Sequence, residues 1–236
     1  MDGQALKPTV APGFKSMLDG LSKAYLFDVL GFTLEDICAA TVQCEGTRET
    51  VQRQMSAIRR IAKIHGAVEG GAENGERGYM LTFLIAYLRD IGFDYYFIAE
   101  SFETSVRWGC VSEMCVGVKN AIRESCQRRG ITKTFISCRV TQLYATGACI
   151  YFYFGFNFKD LDGDPATVYE EIEDEAREAI LGFGGSLSHH HGIGKVRKPF
   201  MARQVSPVGL AMLRGLKKTL DPQNIFASDN FIPPDP

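Results

Sequence analysis

The sequence has little histidine and tryptophan, no long apolar run and almost no net charge. Four histidines and one tryptophan occur among 236 residues. No apolar run reaches the roughly 18 residues that a membrane-spanning helix requires. The formal net charge of −2 provides no general attraction to nucleic acid or acidic lipid. Hydrophobic residues make up 45% and charged residues 23% of the chain, which is typical of a globular domain with a full-sized core.

Cysteine is more common, but its spacing excludes the usual cysteine scaffolds. The seven cysteines include no Cys-x-x-Cys pair, and their number is odd. We therefore expect free, mostly buried thiols rather than a zinc site or a disulfide framework. The first eight residues show neither the basic nor the apolar region of a secretory signal.

The hydrophobic pattern alternates between strand and helix periods, which predicts an α+β fold. We expect an antiparallel or mixed four-stranded sheet with flanking helices and a C-terminal helical tail. The predicted strands are 37–45, 95–100, 134–144 and 148–158, with a hairpin around 145–147. The predicted helices are one or two short ones within 1–36, then 48–65 capped by Thr47 and stopped by Gly66, 79–90, 103–129, 164–180 and 207–220, with a glycine-rich loop at 70–78.

Three of the four histidines, His189, His190 and His191, are consecutive and flanked by glycines. Imidazole titrates near neutral pH, and glycine lets a backbone bend sharply and approach a ligand. A metal site is an alternative, but adjacent histidines chelate one ion poorly and no carboxylate pattern lies nearby. A purely structural loop is a second alternative. We predict an active-site loop without metal, and the basic segment 195–198 that follows could hold an anion.

Two further features have both a chemical and a structural interpretation. In the strand 148–158, Tyr151 and Tyr153 share one face while Phe152 and Phe154 share the other. A phenol facing a pocket could act as acid or base, although aromatic residues also simply pack well in sheets. Arg89 ends a predicted helix, where the dipole favours an exposed cation, or where its guanidinium could bind an anion.

Several strings in this chain resemble the alkyldihydroxyacetonephosphate synthase family, in the family's order, from about residue 5 to 231. They include 5–8, 74–79, 86–90, 100–105, 137–142, 147–154, 185–192 and 221–226. The family makes the ether bond of ether lipids, including plasmalogens. It exchanges the acyl group of acyl-dihydroxyacetone phosphate for a long-chain fatty alcohol, and it uses FAD without net oxidation or reduction.

The resemblance implies roles for individual residues. Tyr151 matches the catalytic acid/base, with Tyr153 as the fallback on the same face, and Arg89 matches a substrate-binding arginine. The histidines 189–191 match residues needed for activity, and their separate roles stay open. His190 and Asn230 match cofactor-binding positions. The resemblance also implies a homodimer with peripheral membrane contact, located in the peroxisome or glycosome.

The resemblance divides the chain into an entry segment (1–36), a cap or substrate domain (37–183) and a tail returning to the FAD domain (184–236). The glycine-rich half that binds the FAD pyrophosphate has no counterpart in this sequence, so we expect the chain alone to bind FAD poorly. Two rival functions remain: an FAD-dependent 2-hydroxy-acid dehydrogenase, with Arg89 on the carboxylate and a histidine base, and an isolated cap that binds or dimerises without flavin.

Overall fold

The computed structural model describes residues 24–33 and 37–233. They group into two compact units, one extending to Phe83 and the other beginning at Leu84. The short helices predicted within 1–36 lie largely outside the described residues. Within the described range 24–33, a π-helical turn spans Tyr25–Val29. Within the described ranges, no helix is both long and apolar enough to cross a membrane.

The first unit contains helix α1, Arg48–Ile64, which the sequence predicted. The Thr47 side chain caps its first turn by accepting a hydrogen bond from the Thr50 backbone N–H, at 3.3 Å. Gly66 follows the helix with a φ of +74°, a left-handed conformation that glycine adopts without strain. The predicted cap and stop are therefore both confirmed.

Two predictions for this part of the chain were wrong. Residues 37–45 form no strand; they are almost wholly exposed, and no strand in the described part of the chain pairs with them. The predicted loop 70–78 is mostly helical, since helix α2 spans Ala72–Asp94. Its polar first turns support this helix locally, because Arg77 pairs with Glu73 at 2.9 Å, one turn earlier.

The second unit is built on a three-stranded antiparallel sheet in the order β1-β3-β2, one strand fewer than predicted. The strands are β1 (Phe97–Arg107), β2 (Thr134–Leu143) and β3 (Gly147–Asn157). The hairpin between β2 and β3 is confirmed. Residues 103–107 were predicted to be helical but continue β1, because they pair with 147–151 of β3.

One face of this sheet carries the main core. Even-numbered side chains of β3, including Phe152, Phe154 and Phe156, are buried there. Two helices cover this face: α3 (Val111–Arg128) and α4 (Pro165–Gly182). Tyr169 of α4 stacks on Phe154 with ring centroids 4.0 Å apart. The core thus fixes β3 in register and leaves its odd-numbered side chains on the opposite face.

The C-terminal tail packs into a smaller cluster beside this core. After α4, a 3₁₀ turn (Lys198–Phe200) leads into helices α5 (Met201–Gln204) and α6 (Pro207–Leu220). Leu187, from the histidine segment (residues 185–191), is buried among Phe200, Met201 and Leu210. The tail therefore anchors the histidine segment at a defined place on the second unit.

Candidate active site

The site forms on the sheet face opposite the phenylalanine core. In the strand register, Tyr151 of β3 lies directly between Glu103 of β1 and Arg139 of β2. Residues opposite one another in antiparallel strands project to the same face. The sheet alone therefore places an acid, a phenol and a guanidinium side by side.

Two histidines of the triplet converge on the hydroxyl of Tyr151. The Tyr151 Oη lies 2.5 Å from His190 Nε2 and 2.8 Å from His191 Nε2. His189 points elsewhere, with its Nε2 2.9 Å from Tyr144 Oη. Tyr153 stacks beside Tyr151 at 6.0 Å between ring centroids but bonds to no histidine among the described residues. The geometry thus favours Tyr151 over Tyr153 as the reacting phenol.

Close backbone packing holds the histidine segment against β1. The Ser186 backbone N–H donates to the Ser105 carbonyl at 2.9 Å, and the Ser105 N–H donates to Ser186 Oγ at 2.9 Å. Gly185 must be glycine here, because a Cβ would lie 2.6 Å from the Ile180 side chain. Gly192 ends the triplet with a φ of +81°. Two of the flanking glycines are thus required by close approach and by a left-handed turn.

Glu103 is the buried centre of the loop. Its side chain has no exposed surface, and its carboxylate accepts hydrogen bonds from Ser188 Oγ at 2.7 Å and His189 N–H at 2.6 Å. The backbone N–H groups of His190 and His191 donate to it as well, at 3.2 and 2.9 Å. Successive backbone N–H groups form a nest for an anion, and this nest holds the protein's own carboxylate.

The hydrogen bonds to Glu103 decide its charge. Burial alone raises the pKa of this carboxyl, but the bonds from the His191 N–H, the Ser188 hydroxyl and the His189 and His190 N–H groups outweigh burial. The pKa of Glu103 falls to about 2, so it is ionised at neutral pH.

Burial has the opposite consequence for the phenol and for the imidazole that contacts it. Burial raises the pKa of Tyr151, the negative charge of Glu103 raises it further, and Arg139 acts in the other direction. Burial lowers the pKa of His191, whereas the negative charge of Glu103 acts to raise it, with Glu103 Oε1 3.9 Å from His191 Nδ1. At neutral pH the pair is therefore a protonated phenol beside a neutral imidazole that can exchange its proton.

The two arginines near the strands differ in their partners. Arg89, predicted to bind substrate, is bound by Glu100 at 2.7 Å and lies 3.4 Å from Asp90. Glu100 of β1 lies opposite Phe154 of β3, so both project to the sheet face opposite Tyr151. Arg139 lies 5.5 Å over the Tyr151 ring and 5.1 Å over the Tyr153 ring. Among the described residues Arg139 has no carboxylate partner, so its charge is available at the site.

The remaining predicted positions lie in the tail. In the basic segment 195–198, Arg197 is buried and donates to the Gly192 carbonyl at 2.5 Å, and Lys198 pairs with Asp229 at 2.5 Å. Both cations thus stabilise the loop. The side-chain oxygen of Asn230 is buried with no hydrogen-bond partner in the described part of the chain. Phe231, the next residue, donates to the Gly194 carbonyl at 3.1 Å, which ties this asparagine to the histidine loop.

Glu103, Cys149, His189 and His190 place possible metal-ligand atoms within 4.8 Å of one another. Both Glu103 oxygens, however, already accept hydrogen bonds from the loop. Burial raises the pKa of Cys149, which keeps its thiol protonated at neutral pH, whereas metals bind the thiolate. This donor set favours a hydrogen-bonded network over metal ligation.

The fold and this site define the class of protein. The family model for FAD linked oxidases, C-terminal domain, matches residues 10–230. The chain belongs to this family, whose members use FAD.

Within that class, the chain is similar to alkyldihydroxyacetonephosphate synthases. It is 46% identical to the Caenorhabditis elegans enzyme over 98% of this chain, and 30% identical to the Trypanosoma brucei brucei enzyme over 91%. These matches span 38% and 34% of those proteins. A solved structure of alkyldihydroxyacetonephosphate synthase shares the fold with a TM-score of 0.59 and 21% identity, over 89% of this chain and 35% of that one.

Sequence reasoning missed Glu103 and Tyr144. Glu103 fell in a segment predicted to be helical, and its partners lie 85 to 88 positions later. One signal was present, because Glu103 stands between Phe102 and Thr104 in a stretch of aromatic and β-branched residues. Such residues favour strands, where an exposed carboxylate is unusual. Tyr144 had no such signal, because only the fold brings it to His189.

Proposed function

We propose that this chain is the substrate side of an ether-lipid synthase. It exchanges the acyl group of acyl-dihydroxyacetone phosphate for a long-chain fatty alcohol and yields alkyl-dihydroxyacetone phosphate and a fatty acid. The observation that carries the proposal is the Tyr151 hydroxyl held by two imidazoles at 2.5 and 2.8 Å. Similarity to named synthases over nearly the whole chain supports the substrate class.

The reaction needs a proton removed from the carbon between the ketone and the acyl ester. Tyr151 is the acceptor, and since its pKa is raised it must lose its own proton as it gains the substrate's. A phenol has one hydrogen, so only one of the two histidine nitrogens can accept it. The other nitrogen donates an N–H to the same oxygen. The pair thus holds Tyr151 ready to pass a proton in either direction.

The substrate carries a phosphate, so the sheet face that carries Tyr151 needs a cation to bind it. Arg139 is the cation beside Tyr151 without a carboxylate partner among the described residues. A guanidinium suits a phosphate because it donates two parallel hydrogen bonds. Arg89 must leave Glu100 before it can bind an anion, so it stays a predicted second contact, one that fits the departing fatty carboxylate.

The residues present fit a flavin at the tail. The buried Asn230 oxygen lacks a donor within the described residues, and a bound ring N–H or hydroxyl would satisfy it. Asn230 and His190 are the residues we assign to FAD. Bound FAD would supply an electron-accepting ring next to the substrate carbon, while this chain's residues bind, orient and exchange protons. The proposal extends to a homodimer at a peroxisomal or glycosomal membrane, where lipid substrates are available.

The test is a chimera in which this chain replaces the matching part of the C. elegans synthase, loaded with FAD. We expect labelled hexadecanol to enter alkyl-dihydroxyacetone phosphate. Dye reduction by 2-hydroxy acids, without alkyl product, would instead establish the dehydrogenase. A flavin-loaded chimera with neither activity would leave the isolated binding module as the function of this chain.

A further inference from the structure

An unbroken series of hydrogen bonds joins the site to the exposed turn between β2 and β3. Tyr144 Oη lies 2.9 Å from His189 Nε2, and His189 Nδ1 lies 2.9 Å from His190 Nδ1. His190 Nε2 lies 2.5 Å from Tyr151 Oη, which lies 2.8 Å from His191 Nε2. Tyr144, at one end, is 46% exposed. Every link is within hydrogen-bonding distance.

The hydrogens along this series are not independent. A neutral imidazole has one N–H and one acceptor nitrogen, and a phenol has one O–H. If His189 donates to Tyr144 through Nε2, its Nδ1 must accept from His190. His190 Nε2 must then accept from Tyr151, whose oxygen accepts from His191. Fixing one link thus fixes the others, and reversing one link between Tyr144 and Tyr151 reverses every link between those two residues.

The end of the series selects one direction. Tyr144 Oη donates to Gln142 Oε1 at 3.1 Å, which leaves its oxygen to accept from His189. In this pattern the Tyr151 hydroxyl donates to His190, and His191 donates to Tyr151. The lowered pKa of His191 is consistent with the neutral His191 ring that the pattern requires.

We propose that Tyr144, His189, His190 and Tyr151 form a proton wire from the substrate to the exposed turn between β2 and β3, with His191 orienting Tyr151. The wire rests on the proposed function, because the proton it carries is the one removed next to the substrate ketone. It gives the three consecutive histidines different roles: two relay the proton and one positions the phenol.

The transfer balances without a further reactant. The substrate proton moves to Tyr151 Oη and its electron pair stays on the carbon next to the ketone. The Tyr151 proton moves to His190 Nε2, the His190 Nδ1 proton to His189 Nδ1, and the His189 Nε2 proton to Tyr144 Oη. Tyr144 releases its own proton to water. After one transfer the links from Tyr151 to Tyr144 are therefore reversed, while the His191 N–H still donates to the Tyr151 oxygen.

The deciding experiment uses the few histidines of the chain. With ¹⁵N-labelled histidine, the full chain shows four imidazoles, and His65, exposed in the other unit, is an internal reference. Tyr144→Phe keeps the ring but removes the end of the wire. We expect the ¹⁵N tautomer signals of His189, His190 and His191 to move together, while His65 stays unchanged. Tyr95→Phe, at an exposed tyrosine, is the control and should move none of them.

A change confined to His189 in Tyr144→Phe would overturn the wire, because the three rings would then be independent. Solvent exchange at the substrate carbon gives a second readout in the FAD-loaded chimera. We expect Tyr144→Phe to slow it about tenfold with KM unchanged, as for the loss of one proton-transfer partner. Coupled signals without alkyl product would retain the wire and reject the synthase, and alkyl product without coupling would do the reverse.

Discussion

The two faces of the three-stranded sheet are made by alternate residues of the same strand, yet they serve different purposes. One face of β3 presents Phe152, Phe154 and Phe156, all buried against helices α3 and α4. The other presents Tyr151 and Tyr153, half-buried beneath the histidine loop. The main apolar core therefore lies on the first face and the reacting side chains lie on the second. Because their side chains alternate, a rigid core directly fixes the position of the reacting phenol.

The largest effect on stability should come from the core face. Phe152→Ala removes a fully buried ring that stacks on Phe102 at 5.5 Å. We expect a loss of about 3–5 kcal/mol in the free energy of unfolding. Denaturant unfolding measures it, and Phe135→Ala, at an exposed position on β2, should cost far less. Equal losses in the free energy of unfolding would mean that the two faces contribute equally to stability.

A buried charge on the site face should produce a smaller, pH-dependent effect. Glu103→Gln keeps the shape of the side chain but removes the charge that four donors share. Wild-type Glu103 has a pKa lowered from 4.5 to about 2, so its stabilisation is fully present above the ordinary value and is lost as pH falls towards 2. We expect the variant to be less stable by roughly 2–3 kcal/mol at pH 7, and the difference to shrink below pH 4.5.

The control for this prediction is Glu100→Gln on the same strand. Glu100 is exposed and pairs only with the exposed Arg89 among the described residues, so its loss should change stability by at most about 0.5 kcal/mol. A wild type–Glu103→Gln difference that stays constant from pH 7 to pH 2 would contradict the lowered pKa.

The smallest expected effects separate the two arginines. Arg139→Gln should raise the KM for acyl-dihydroxyacetone phosphate about tenfold, because a charged hydrogen bond to phosphate is lost. Arg89→Gln should change it less, since Arg89 must first leave Glu100. Steady-state kinetics of the FAD-loaded chimera measures both. The opposite ranking would indicate that Arg89 binds the phosphate, and that the sheet face binds only the reacting carbon.

The sequence predicted the parts of this architecture that depend on local pattern. The hairpin, the alternation of tyrosine and phenylalanine in β3, and the Thr47 cap all follow from residues close together in the chain. The strand predicted at 37–45 was wrong because a strand needs a partner, and the described residues provide none for this segment. Helix α2 extends through glycines that composition alone assigned to a loop, and the ion pair between Arg77 and Glu73 supports its first turns.

The sequence predicted individual residues of the site, but not the contacts among them. Local patterns and the family resemblance singled out Tyr151 and the three histidines. Which histidine meets which phenol depends on the docking of residues 185–191 onto β1, more than 80 positions earlier. The role of Glu103, which organises that docking, does not follow from local pattern, because its partners are backbone N–H groups and a hydroxyl more than 80 positions later.

The most direct test of the account follows hydrogen exchange between solvent and the substrate carbon next to the ketone, in the FAD-loaded chimera in deuterated water. We expect wild type to incorporate deuterium there, and Tyr151→Phe to lose about 10²- to 10⁴-fold in rate with little change in stability. Tyr153→Phe, which lacks a histidine contact among the described residues, should retain most of the exchange. Full exchange in Tyr151→Phe, or its loss only in Tyr153→Phe, would contradict the assignment of the reacting phenol.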